Sequence, residues 1–142
     1  LGSFESLFLQ AEAAGRGWIS GEAKAYYNLA IEESFKYMEA AAGYSDYIIQ
    51  DKVDLDQAVD KIERIIEQKW LSLNTINGFE AWSDYRRLGI PAIPQSLRSP
   101  NADPSYRPLR LTYRKSELTG NGEEVVKQGN INPFTSTVFW DQ

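Results

Sequence analysis

The sequence predicts a mainly α fold: helical hairpins over residues 1–88, then a proline-rich extended bridge and a short strand-like C-terminal segment. Three observations carry this. Ala58, Ile62, Ile65, Ile66, Trp70, Leu73 and Ile76 form one apolar stripe at spacings of three and four. The run from Phe79 to Gly89 reads as a helix with its own stop. Phe79 and Trp82 recur at helical spacing, Arg86 and Arg87 sit where cations meet the negative end of the helix dipole, and Gly89 is placed for a left-handed cap. Beyond it Pro91, Pro94, Pro100, Pro104 and Pro108 deny the chain helix or central strand, leaving an extended segment that must lie on something else.

Taken in order, Phe4, Leu7, Phe8, Ala11 and Ala14 predict a first helix over 4–14, ended by Gly15-Arg16-Gly17. Ser20 is expected to cap a second helix running to about residue 42, with Ala23, Tyr27, Ala30, Ile31, Ser34, Met38 and Ala41 on one face. Tyr26, Phe35 and Tyr37 widen that face, so this helix needs neighbours on two sides. Asp54-Leu55-Asp56-Gln57 has the capping-box pattern, and the long stripe of the third helix is expected to start there. The links are short, as in antiparallel hairpins. Ala23, Tyr27, Ala30 and Ile31 also superimpose on Ala58, Ile62, Ile65 and Ile66 with a 35-residue offset. That is close to the tetratricopeptide period of about 34 residues, although two amphipathic helices can align in this way by chance.

After the bridge, Leu109, Leu111 and Tyr113 alternate with Arg110, Thr112 and Arg114, which predicts a short strand with one buried edge. Asn121-Gly122 marks a turn, residues 123–128 have the makings of one or two helical turns, and Phe134, Val138, Phe139 and Trp140 predict a docked tail.

Composition narrows the chemistry. The chain has 142 residues, 42% hydrophobic and 25% charged, which argues for an ordered domain or part of one. Its 13% aromatic content leans towards binding surfaces or aromatic-rich packing. Histidine and cysteine are absent, which removes the commonest general base, the commonest metal ligands and every thiol nucleophile. The acidic excess is concentrated in residues 1–68, whereas residues 86–115 set Arg86, Arg87, Arg98, Arg107, Arg110, Arg114 and Lys115 against Asp103 alone. The basic stretch reads as intramolecular neutralisation, a segment packed across acidic helices. A pI near 4.8 opposes nucleic-acid binding.

Candidate functional residues are few. Glu80 and Asp84, one helical turn apart, could form a carboxylate pair of the glycosidase kind but read better as surface or ion-paired groups. Asp51, Asp54 and Asp56 cluster without the glycine and distal glutamate of a calcium loop, and helix capping accounts for two of them. Trp70 and Trp82 fall on apolar stripes and are expected in the core. Tyr44 and Tyr47, flanking Ser45-Asp46 in an inter-helix loop, are the best placed to stay exposed and touch a ligand. No phosphate loop, dinucleotide fingerprint, nucleophile elbow or metal triad occurs, so no cofactor, catalytic residue or metal ligand is assigned.

The stretch from Phe79 to Gly89 with Pro91, followed by Arg107-Pro108-Leu109-Arg110-Leu111-Thr112-Tyr113, Ser116-Glu117-Leu118 and the terminal Phe139-Trp140-Asp141, resembles the C-terminal part of the SusD/RagB family. Ala11 to Trp18 and Ala25 to Ile31 look like that family's helical segments too. The resemblance implies helix pairs of tetratricopeptide type. It implies that residues 1–142 are a C-terminal portion of a larger protein, with 1–88 as helical scaffold and 89–142 as bridge and docked tail. It further implies an outer-membrane lipoprotein, its signal and anchor upstream of residue 1, that captures glycans or other nutrients without catalysis for a SusC-type TonB-dependent transporter. Two rivals come from other classes. One is a free-standing helical-repeat module that binds a peptide in a concave groove; the other is a glycoside hydrolase fragment.

Overall fold

A computed structural model describes residues 2–92 and 108–138. The chain divides into two compact units, Leu1–Ala92 and Ile93–Gln142.

In the first unit, helix α1 spans Ser3–Gly15 and turns Phe4, Phe8 and Ala11 inward. It ends as its glycines predict. Gly17 takes φ +74, its N–H donates to the Ala14 carbonyl and the Trp18 N–H reaches back to Ala13, the paired bonds of a Schellman stop. Helix α2, Ala23–Tyr37, starts two residues later than Ser20 would allow, with Glu22 as its N-cap. The cause is Gly21, held at φ +121 beneath the Tyr26 ring, where any Cβ would stand 2.9 Å from that ring. The chain is still turning at the position where Ser20 would have to cap.

Helix α2 also ends sooner than its apolar stripe suggests. Glu39 adopts φ 56, Ala40 N–H bonds the Phe35 carbonyl, and Met38 is left half exposed. A 3₁₀ turn at Ala41–Gly43 then leads into the short helix α3, Tyr44–Ile48. Helices α1 and α2 are antiparallel, because the Phe4 ring meets Tyr37 at 5.5 Å while Gly15 lies beside Ala23 at the opposite end. Between them Phe8 and Tyr27 meet edge to face, within a core that also holds Ala11, Ala30, Ile31, Val53, Leu55 and Ile65.

The capping pattern at Asp54 produces one turn and no more. Asp54 accepts from the Asp56 N–H and closes a 3₁₀ turn, Leu55–Gln57, after which Ala58 is extended. The long helix α4, Lys61–Leu73, starts at a second cap: Asp60 accepts from the Ile62 and Glu63 N–H groups at 2.8 and 3.0 Å. Burial of Val53 and Leu55 and a Lys24 ammonium 2.6 Å from Asp54 and 2.5 Å from Asp56 hold the turn apart from that helix. Helix α5, Gly78–Leu88, has Asn77 as its cap and ends at Gly89 with φ 70, as the sequence predicts. Neither Trp70 nor Trp82 reaches full burial, and Phe79 is 69% exposed. Both tryptophans sit at the margin of their stripes, with Trp82 under the Arg86 guanidinium at 4.9 Å.

In the second unit, helices α6, Lys115–Gly120, and α7, Gly122–Lys127, meet at the expected Asn121-Gly122 link; α6 has no forerunner in the sequence reading. Residues 109–114 form no strand, and Leu111 is 65% exposed. Alternation supplies a buried edge only where a second strand offers a ladder. Here the Leu109 and Arg110 N–H groups both turn to one acceptor, the Pro133 carbonyl, at 2.7 and 3.4 Å. Pro94, Pro100, Pro104, Phe139 and Trp140 lie outside the described residues.

Candidate functional site

Tyr44 and Tyr47 occupy α3 and are half-buried. Their rings pack on Phe35, with centroids 6.2 and 5.2 Å away. The Tyr47 hydroxyl donates to the Gln68 side-chain oxygen at 2.8 Å, and the Tyr44 hydroxyl reaches the Asn28 carbonyl at 3.4 Å. The structure therefore brings the two tyrosines together around Phe35, with their hydroxyls engaged inside the protein.

The charged candidates assemble into a linked network that periodicity alone could not show. Asp84 is buried between Lys69 at 2.8 Å and Arg87 at 2.9 Å. Arg87 extends to Glu12, placing its two terminal nitrogens 2.6 and 2.8 Å from the two carboxylate oxygens, and Arg16 completes the set from 2.8 Å. Burial pushes the Glu12 carboxyl up, but the hydrogen bonds from Arg87 and Arg16 outweigh it and hold the group below its ordinary value. Glu12 in turn raises the Arg87 guanidinium. Helices α1, α4 and α5 are thus clamped by charge at one end, with Arg87 as the one member that the basic stretch 86–115 contributes among the described pairs. Asp84 does not pair with Glu80 as an acid and base, and Lys24 fills the space between Asp54 and Asp56.

The second unit supplies a different surface. Gly129, at φ 79, turns the chain after α7, and the segment beyond it is fixed by two bonds of Asn132. Its N–H donates to the Ser136 hydroxyl and its side-chain oxygen accepts from the Phe134 N–H. The Pro133 carbonyl then draws in Leu109 and Arg110. A cleft of about 450 Å³ results, lined by Arg110, Tyr113, Gln128, Asn130, Ser136 and Thr137, with Ile131 and Val138 as its aliphatic members. That volume falls in the range of small-molecule sites. The Arg110 guanidinium lies 5.7 Å from the Tyr113 ring centre, and its Nε is buried without a hydrogen-bond partner. Sequence reading missed this cleft because its walls come from three short segments far apart in the chain, and the one that carries a family pattern, Arg110 to Tyr113, does not show which distant residues it meets.

Sequence and fold comparisons agree. The family model described as starch-binding, associating with the outer membrane, matches residues 1–114. No curated protein matches the sequence. Among solved structures, a SusD homologue from Bacteroides fragilis NCTC 9343 superimposes with a TM-score of 0.81 at 27% identity, covering 100% of this chain and 34% of that one. An outer-membrane protein of Bacteroides vulgatus ATCC 8482, whose description connects it with nutrient binding, gives 0.79 at 27% identity, with 100% and 34% covered. A SusD homologue from Parabacteroides distasonis ATCC 8503 gives 0.77 at 25% identity, with 99% and 32% covered. The chain spans about a third of the length of these structures. With its helices superimposing on theirs and the family model matching residues 1–114, this chain belongs to the SusD-like family.

Proposed function

We propose that this chain works within a protein that captures glycans or other nutrients at the outer-membrane surface and passes them, without catalysis, to a SusC-type TonB-dependent transporter. The observation that carries the reading is the family match over residues 1–114. The site chemistry supports it. The clustered charges are tied to one another, so they favour a rigid scaffold over acid and base work. The cleft near Arg110 combines an aromatic ring with amide and hydroxyl groups, the mixture that recognises a polyhydroxylated ligand. Among the described residues no helix is long and apolar enough to cross a membrane.

Tyr44 and Tyr47 are the proposed ligand contacts of the first unit. Two variants separate that role from packing: Tyr47→Phe deletes the bond to Gln68 and keeps the ring, whereas Tyr47→Ala removes both. If the ring stacks on a sugar, only the alanine variant loses affinity. The reading as a whole is tested in the full-length protein by titrating starch-derived and other oligosaccharides calorimetrically and by co-purifying a TonB-dependent transporter from membranes. Saccharide binding and a stoichiometric transporter partner are expected; the absence of both would end the proposal.

A further inference from the structure

The geometry points to the Arg110 cleft as a subsite for the carboxylate of an acidic, uronate-type saccharide. This inference rests on the saccharide-capture reading and adds a ligand class to it. Arg110 is the charged member of the cleft lining, and among the described residues no carboxylate stands within ion-pairing distance of it. This separates it from Arg16 and Arg87, which are both spent on Glu12. No described group neutralises this guanidinium, so the charge that Arg110 brings to the cleft lining is available to an incoming anion.

The partner chemistry follows from what surrounds the charge. The Tyr113 ring holds the guanidinium in place, and a planar fork of donors suits a planar carboxylate through two parallel hydrogen bonds. Among the described residues the lining offers no second cation, so its charge matches a monoanion and not a dianionic phosphate. Gln128, Asn130 and Thr137 supply donors and acceptors for ring hydroxyls around that anchor. Ile131 and Val138 provide apolar area for the C–H face of a sugar.

The test uses the full-length protein and two probes of equal length, trigalacturonate and maltotriose, in calorimetric titrations at low and high salt. Trigalacturonate is expected to bind at least tenfold tighter, with the preference shrinking in salt. Arg110→Gln should abolish the preference with an unchanged melting temperature, and Arg110→Lys should restore part of it. Thr137→Trp fills the cleft from an exposed position and should weaken trigalacturonate binding even if an Arg110 variant fails to fold. A preference that survives both Arg110→Gln and Thr137→Trp overturns the subsite while leaving saccharide capture intact. So does equal binding of the two probes. A sulfated trisaccharide that outcompetes trigalacturonate overturns the carboxylate assignment. If no saccharide binds the parent protein, the subsite and the capture reading fall together.

Discussion

Phe8, Tyr27, Leu55 and Ile65 in the first unit are shut off from solvent, whereas no described residue of 108–138 is fully buried and Leu111 and Val126 there are 65% and 77% exposed. The two units are ordered by different means. In the first, apolar faces of α1, α2 and α4 close on one core, and the buried charges of Glu12, Lys69 and Asp84 are held in ion pairs. In the second, the described order comes from hydrogen bonds: short-range ones from Thr119 to the Lys115 carbonyl, from the Asn121 amide to Glu117 and from Asn132 to Ser136, and the longer link of Leu109 and Arg110 to the Pro133 carbonyl. A packed core resists substitution, but a surface held by local hydrogen bonds can vary its side chains at little cost.

The largest effect that would sharpen this contrast is expected at Asp84. Asp84→Ala leaves the Lys69 side chain, 3% exposed, without the partner now at 2.8 Å. Breaking such a pair should cost about 3–5 kcal/mol in urea denaturation. A loss below about 1 kcal/mol would place the ion pair outside the load of the core.

Tyr27→Phe comes next. The phenol is fully buried, burial raises its pKa, and its hydroxyl donates to the Val53 carbonyl at 2.6 Å. The variant strands that carbonyl and should lose about 1–3 kcal/mol. Unchanged stability would mean that the loop around Val53 is held by packing alone.

Glu12 gives the first unit an acid-sensitive component. Its folded-state pKa lies below the ordinary 4.5, so its stabilisation is fully present above that value and fades as the pH falls through the folded pKa. Thermal melts of the parent should decline from about pH 4.5 downwards. Glu12→Gln should melt lower at pH 7 and decline less steeply in acid. A variant that tracks the parent throughout would remove Glu12 from the acid response.

The smallest effect is expected in the second unit. Leu111→Ser exchanges an exposed side chain and should change stability by no more than about 0.5 kcal/mol. A loss several times larger would break the comparison, because it would show that this surface is part of a core.

Much of the first unit was legible in the sequence because its signals are local. Gly17 and Gly89 mark stops that need left-handed backbone, and Phe4, Phe8, Ala11, Tyr27, Ala30 and Ile65 repeat at the period of a helix. The misplaced boundaries share a cause. Ser20 and Asp54 are competent caps by residue type, but Gly21 beneath Tyr26 and the buried pair Val53 and Leu55 move the helix starts downstream. Trp70 and Trp82 show the same limit: periodicity names the face a residue shares, while burial depends on how far the neighbouring helix extends over it.

The sequence by itself determined the helical class, the hairpin order, the stops at Gly17 and Gly89, and the family pattern in the helices and beyond Gly89. Tertiary structure alone decided that Asp84 pairs with Lys69, that Arg87 reaches across 75 residues to Glu12, and that Arg110 meets Asn130 and Thr137 around one cleft. The physical reason is range. Capping, dihedral preference and amphipathic period act within a turn or two of chain and leave their mark in adjacent residues. An ion pair or a cleft wall depends on which distant side chains the packed helices and turns bring within a few ångströms, and no local pattern records that choice.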